Sequence, residues 1–314
     1  MLHPLRPLAL RDVIIIALVL VIAFCGLGLL LSLFAPQRNG GQTQCVSNMK
    51  QLGQGTHLYT EDHDGYYPLA MTANSRTRAW RVGLLRDGSD LGEFPHNWRP
   101  SQDEVRWYEN LTHWTNAVYP YVQNYGIYAC PVSSERDRVD RGVPSSEYAS
   151  PNVNPRNVSY TYNGFLHMFP NSGIVEPAQL PVLWEGHGKT QIIGFGLHNP
   201  ALRCTTLDEP CIYRRGGPPC GLMFGSAERY SNPGGSYWVE NKGQNWTMAD
   251  THVKWRRLGV HIANKGTGLT SPGPPYTDWR VDPFTGYNDE GFAAWYWSDG
   301  CHSLLFRPDY DFSD

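Results

Sequence analysis

In "TMADTHVKW", residues 247–255, an aspartate and a histidine stand two apart, Asp250 and His252, just ahead of Trp255. Acid/base catalysis and metal binding both use such a pair, and each needs a further group. Glu240, ten residues before Asp250, offers one arrangement: a divalent site of Glu240, Asp250 and His252. Calcium takes oxygen ligands, so an imidazole is an odd member of a calcium site. The structural alternative is a β-hairpin. Asp250-Thr251 then forms the turn, and Asp250 accepts a local backbone hydrogen bond between extended runs carrying Trp246, Met248, Val253 and Trp255. The hairpin is the preferred reading.

Other chemistries find less support. Hydrolysis through Glu185, Glu240 or Asp250 would need a paired-acid geometry that spacing does not supply. The histidines His57, His63, His96, His113, His167, His187 and His198 lack the H-E-x-x-H or H-x-x-E-H spacing of zinc hydrolases. The chain has no G-x-S-x-G elbow, no P-loop, and no G-x-G-x-x-G after a strand. Asp62 and Asp64 lack the rest of a D-x-D-x-D-G calcium loop and read as a turn that ends a helix. Trp238, Trp246, Trp255, Trp279, Trp295 and Trp297 would serve either as a sugar-stacking platform or as an aromatic β-core, and the core is the commoner outcome.

The elements that must position these residues follow from composition and pattern. A chain of 314 residues can bury a substantial core. A formal charge of −3 gives no basic field, so nucleic acid is not expected as a partner. Abundant Gly, Pro, Tyr and Trp point to turn-rich β-structure with few helices. One segment stands apart: 13–34, "VIIIALVLVIAFCGLGLLLSLF", is free of charge and long enough, at about 33 Å as a helix, to cross a bilayer. It exceeds a signal-peptide core and no small-x-small site follows, so a retained anchor is expected. Arg6 and Arg11 before it favour a cytoplasmic N-terminus. Of the cysteines, Cys25 lies in this segment. Cys45, Cys130, Cys204, Cys211, Cys220 and Cys301 lie beyond it, an even number that suggests disulfides with fifteen pairings open; the 204–220 stretch reads as a stapled loop.

Past Gly40-Gly41 a helical stem is expected. Cys45, Met49, Leu52, Thr56 and Tyr59 form one stripe, and Asp64-Gly65 with Pro68 stop it. Residues 70–112 read as irregular. A short helix running into an extended stretch is expected over 114–131, and a hairpin at Asn163-Gly164 in "VSYTYNGFL". A strand followed by a Gly-rich turn fits 180–190, and two extended runs flank Asp250-Thr251.

Several of these stretches, in order, resemble one family: pilin-like bacterial proteins with a prepilin-type N-terminus and an H-X9-DG signature, relatives of type IV pilins and of the type II secretion major pseudopilin. "CVSNMKQLGQGTHLYTEDHDGYYP" (45–68) is similar to the family stem "CxNNLKQIGLALHxYxxxxGxYP". "WTNAVYPYVQNYGIYACP" and "VSYTYNGFL" follow its middle motifs, and "MADTHVKW" corresponds to "FADGHVKW". The match covers roughly residues 8–68 and 114–258. Three positions depart from it. Glu240 stands where the signature has His, Thr251 replaces the Gly of Asp-Gly, and Pro7 precedes the expected cleavage position at Leu8. Proline there disfavours processing. The resemblance implies that Asp12, in place of the family's fifth-position Glu, pairs with a neighbour's N-terminal amine at Leu8 during assembly; otherwise Asp12 lies at the membrane interface beside Arg11.

The expected protein is α+β. A cytoplasmic stub (1–12), a transmembrane helix (13–34) and a helical stem (35–68) precede an outward-facing, β-rich, pseudopilin-like domain (69–314), with the stem packed on a mainly antiparallel sheet. The expected function is a membrane-anchored, non-enzymatic, pilin-like subunit of a secretion or surface-filament apparatus. The lipid bilayer and other pilin-like subunits or secretion-system proteins are its expected partners, and its place is the bacterial inner membrane, single-pass, facing the periplasm or cell surface. No cofactor is expected beyond the calcium considered above. The alternative is a tethered envelope-polysaccharide-binding module.

Overall fold

The computed structural model describes residues 11, 16–22, 40–81, 91–133, 135–137, 143–186, 188, 190–198, 202, 204–212, 228–229, 239, 243–257, 292–293 and 306–309. The chain divides into two units, Met1–Gly40 and Gly41–Asp314. In the first, residue 11 and residues 16–22 are helical. Among the described residues no helix is long and apolar enough to cross a membrane. This corrects the expected transmembrane helix, and with it the single-pass membrane character built on it. Leu8, Asp12 and the rest of 13–34 lie outside the described residues.

The second unit opens with the stem, α1, Gly40–Asp62. Its buried face carries the predicted stripe Cys45, Met49, Leu52 and Thr56, joined by Asn48, Gly53, Gly55 and Thr60. The helix stops where the sequence placed its breakers. Asp64 and Gly65 turn left-handed (φ 53° and 79°), and the Gly65 N–H closes on Thr60 O at 2.8 Å.

Three further helices are α2 (Glu104–Leu111), α3 (Trp114–Val122) and α4 (Ser145–Ala149). The strands, in chain order, are β1 (Thr72–Ala73), β2 (Trp80–Arg81), β3 (Gly92–Glu93), β4 (Glu135–Asp137), β5 (Asn157–Val158), β6 (Thr161–Tyr162), β7 (Pro181–Trp184), β8 (Thr190–Ile193), β9 (Phe195–His198), β10 (Glu228–Arg229), β11 (Gly243–Met248), β12 (Val253–Arg257) and β13 (Phe292–Ala293). The central sheet has six strands in the order β12-β11-β7-β6-β9-β3. All its pairings are antiparallel except β6 with β9. A second sheet, β4-β8-β5, also contains one parallel pair. The central sheet is therefore mainly antiparallel, with one parallel pair.

Several local expectations change. Asn163-Gly164 does not turn a hairpin: Asn163 Oδ1 accepts from Phe165 N and caps a 3₁₀ turn over Gly164–Leu166, while its Nδ2 donates to Pro181 O and Phe306 O. β6 instead pairs with β7 across a longer excursion. The region 70–112 contains α2, started by Asp103, whose side chain accepts from Arg106 N at 2.9 Å. That Asp-Glu pair ahead of an apolar position is an N-cap signal. After α3 comes a 3₁₀ turn, Tyr125–Tyr128, in place of an extended stretch.

α1 lies close to its neighbours because small residues face them. A Cβ on Gly53 would meet the Thr247 side chain of β11 at 2.5 Å, and one on Gly55 would meet Val122 of α3 at 2.5 Å. Cys45, Met49 and Leu52 enter one core with Trp114, Tyr128, Tyr162 and Leu183. A second cluster gathers Leu91, Trp98, Ile192, Phe195 and Leu197. The Cys45–Cys130 disulfide then ties the stem to the chain 85 residues on, and Asn48 Nδ2 donates to Ala129 O beside it at 2.9 Å.

Closing a loop of that length limits the unfolded chain and stabilises the fold by about 4–5 kcal/mol in the chain-entropy account. Replacing both cysteines, Cys45→Ser with Cys130→Ser, is expected to lower the urea midpoint, with an unfolding free energy reduced by an amount in that range. An unchanged midpoint would show that the bond does not constrain the stem.

Candidate functional site

β11 and β12 form the hairpin that the Asp250-Thr251 pair suggested, in register from Gly243↔Arg257 to Thr247↔Val253. At its turn Asp250 Oδ1 accepts from His252 N at 3.1 Å and meets His252 Nδ1 at 2.6 Å. Both side chains are about 40 % exposed. Among the described residues, no further His, Cys, Asp or Glu joins them in a cluster that could hold a metal ion. Glu240, the other member of the calcium arrangement, lies outside the described residues.

Thr251 carries the sharpest feature of the turn. Its φ is +70°, a left-handed conformation in which a β-branched side chain is strained. The resembling motif has Gly at this position, and the backbone here keeps the conformation that Gly would adopt freely. Lys50 of α1 reaches the same residue, donating to Thr251 O at 2.8 Å and to Thr251 Oγ1 at 3.1 Å. Thr247 Oγ1 donates to Met49 O at 3.2 Å. The stem and the hairpin turn are thus joined by charge-assisted and neutral hydrogen bonds one helical turn from the disulfide.

The remaining nominated groups are committed elsewhere. Glu185 is 1 % exposed and accepts from both the backbone N and the Nδ2 of Asn245. Trp246 is fully buried and stacks on Trp184 at 4.8 Å. Of the six tryptophans considered for a sugar platform, Trp255 is the exposed one among those described; Trp238, Trp279, Trp295 and Trp297 lie outside.

Two buried polar groups were not legible in the spacing. The first is an ionic belt. Arg99 holds Glu147 (Nε to Oε2, 2.9 Å) and Glu93 (Nη1 to Oε1, 3.4 Å), while Arg81 holds Glu109 at 2.8 Å. Burial pushes the Glu93 carboxyl up to about 7, against the pull of Arg106 and Arg99. Glu93 Oε2 has no hydrogen-bond partner among the described residues, which fits a carboxyl that is neutral part of the time. A cleft of about 260 Å³ borders this belt. Its charges are already paired, Arg76 with Asp103 and Arg81 with Glu109, so it offers no free cation for an anionic ligand. The belt draws residues from β2, β3, α2, α4 and a loop, and no sequence spacing could have assembled it.

The second group is a set of buried histidines, His113, His167 and His198. Burial lowers all three: His113 falls well below the ordinary range, His167 to about 3 and His198 to about 4, and His198 further disfavours charge on the other two. His113 is roofed by Gly92 and Gly196, where any Cβ would clash with the ring. His167 Nδ1 accepts from Ala70 N at 3.1 Å.

Two clusters bring metal-type ligands together, Cys45 and Cys130 with Glu185, and Cys204 and Cys211 with His167. In both, the sulfurs are joined as disulfides, and a disulfide lacks the thiolate that binds metal. Comparison with protein families, with curated proteins and with solved structures finds no match.

Two outcomes follow from this geometry. Thr251→Gly is expected to stabilise the protein by about 0.5–1 kcal/mol in urea unfolding, because released strain outweighs the added chain entropy of Gly; a loss of stability would show that the Thr251 hydroxyl contact with Lys50 dominates. For acid, the sign differs between the two groups. The histidines are lowered, so the unfolded chain takes up protons below about pH 6.5 that the folded chain refuses, and stability falls as pH drops. Glu93 is raised, so between about pH 7 and 4.5 the folded chain holds one extra proton and stability rises as pH drops. Three protons outweigh one. Urea midpoints at pH 6.5, 5.5 and 4.5 should therefore show stability falling by about 2–3 kcal/mol per unit, and faster in Glu93→Gln. A flat profile would mean that the histidines are not neutral in the fold.

Proposed function

We propose that this protein is a non-enzymatic, pilin-like or pseudopilin-like structural subunit of a secretion or surface-filament apparatus, working through its stem helix and its β-rich head. The observation that carries the reading is the stem itself. α1 is held to the head by the Cys45–Cys130 bond and by Lys50 on the hairpin turn, so force applied to the helix is passed to the head through a covalent link. The opposite face of α1 is uncovered among the described residues: Ser47, Gln51, Gln54, Leu58 and Glu61 follow one another at helical spacing and are all exposed. A helix clamped on one side and bare along the other is suited to lateral packing against further copies or sibling subunits. The motif resemblance over 45–68 and 248–255 points the same way, and as an analogy of fold it is given less weight than the geometry. The two disulfides among the described residues support a head that works in an oxidising, extracytoplasmic compartment. The carboxylates nominated for hydrolysis, Glu185 and Asp250, are each engaged by a local partner, which favours the structural reading over an enzymatic one.

The test is photo-crosslinking in the native envelope with a benzophenone amino acid placed at Gln51 or Gln54. A ladder of multimers, or an adduct with a second pilin-like protein, is the expected result. An adduct-free monomer at both positions, with the protein folded and at native abundance, would overturn the assignment.

A further inference from the structure

We propose that Cys204–Cys211 is a thiol–disulfide exchange site that takes a dithiol as its reaction partner, with His167 positioned to stabilise the departing Cys204 thiolate. An imidazole nitrogen of His167 and both sulfurs lie within 4.8 Å of one another. His167 Nδ1 accepts from Ala70 N and, at 3.5 Å, from Met71 N, so the ring carries its proton on Nε2. That Nε2 is buried and has no hydrogen-bond partner among the described residues. An orphaned buried N–H on a ring that lies beside a disulfide gains an acceptor once the S–S bond opens and the sulfur becomes anionic. The same tautomer argues against a zinc site of His167, Cys204 and Cys211, because a metal on Nε2 would require the proton on Nδ1, which faces the Ala70 amide.

The two sulfurs are unequal. Cys204 is 5 % exposed and Cys211 is half-buried, so Cys211 is the sulfur an incoming thiolate reaches first. Attack there forms a mixed disulfide at Cys211 and leaves the S–S electron pair on Cys204, whose thiolate accepts from His167 Nε2–H. The second thiol of the partner then attacks the mixed disulfide and expels the Cys211 thiolate. Two electrons pass from the dithiol, which is oxidised to a disulfide, and its two protons end on Cys204 and Cys211. A better-stabilised leaving thiolate departs faster. Burial keeps His167 neutral, so this help does not depend on the imidazole being charged.

The surrounding loop is built to survive opening. Trp80 N donates to Thr205 O, Leu207 N donates to Arg78 O, and Arg78 forms a two-pronged pair with Asp208. Trp80 also packs edge-on against His167 at 4.5 Å. The other bridge differs in each respect: Cys45 and Cys130 are both fully buried, and they span 85 residues against 7.

The experiment uses the intact protein with two probes, dithiothreitol and glutathione, read by differential alkylation and mass spectrometry. In dithiothreitol, Cys204–Cys211 is expected to open at least tenfold faster than Cys45–Cys130. In limiting glutathione, the adduct on the wild-type protein is expected on Cys211. His167→Phe, which keeps the ring packing on Trp80, should slow opening about tenfold and move alkylation of the freed Cys204 thiol to higher pH, and His167→Gln should restore part of both. Equal opening of the two bridges, an adduct chiefly on Cys204, or an alkylation profile unmoved by His167→Phe would each overturn the proposal. The wild-type glutathione result decides even if His167→Phe does not fold.

Discussion

The close seat of α1 on the sheet is the constraint from which most of the second unit follows. A helix can approach its neighbours this tightly only where one side lacks a side chain, and Gly53 against Thr247 of β11 and Gly55 against Val122 of α3 meet that condition. Once the helix lies there, Cys45 is brought to Cys130, Asn48 to Ala129 and Lys50 to Thr251. The contacts occur within two turns of one face. Polar and covalent links at the start of the face and apolar burial of Met49 and Leu52 along it reinforce one another, which is why a helix with only a weakly apolar face can be held so firmly.

The head shows a different economy. Its core includes stacked aromatic pairs such as Trp184 on Trp246, yet it also buries three neutral imidazoles and a carboxyl displaced toward neutrality. Burying titratable groups in their uncharged forms avoids most of the desolvation cost. It also binds stability to pH, since the unfolded chain regains the ordinary proton affinities of those groups. The ionic belt of Glu93, Arg99 and Glu147 is a second case, in which one guanidinium serves two carboxylates and the more deeply buried acid is the one left short of a partner.

What was legible in the sequence was local. The α1 stripe, its Asp64-Gly65 stop, β7 and the hairpin about Asp250-Thr251 all depend on neighbours a few residues apart, and periodicity or turn chemistry records these directly. Asn163-Gly164 misled because Asn caps a 3₁₀ turn by the same side-chain acceptance that would favour a hairpin, and the long-range bonds from Nδ2 to Pro181 and Phe306 decided between them. The long apolar run misled in another way: its composition meets the length needed for a bilayer, while among the described residues no helix is long and apolar enough to cross one. The Cys45–Cys130 pairing, the histidine cluster and the ionic belt join residues far apart in the chain, which spacing does not encode. α2 was available from Asp103-Glu104 and its neighbours.

Thr251 shows how a β-branched residue can hold a left-handed turn position. Gly fills such a position without strain. Here Thr occupies that conformation at φ +70°. The strain is set against interactions that Gly could not fully make. The Thr251 carbonyl and hydroxyl together hold Lys50, and Asp250 closes the turn by accepting from His252. The backbone geometry is thus maintained from the stem side by Lys50. A turn that Gly would adopt freely relies here on a contact between residues 201 apart in the chain, and the hairpin's conformation becomes a consequence of where α1 sits.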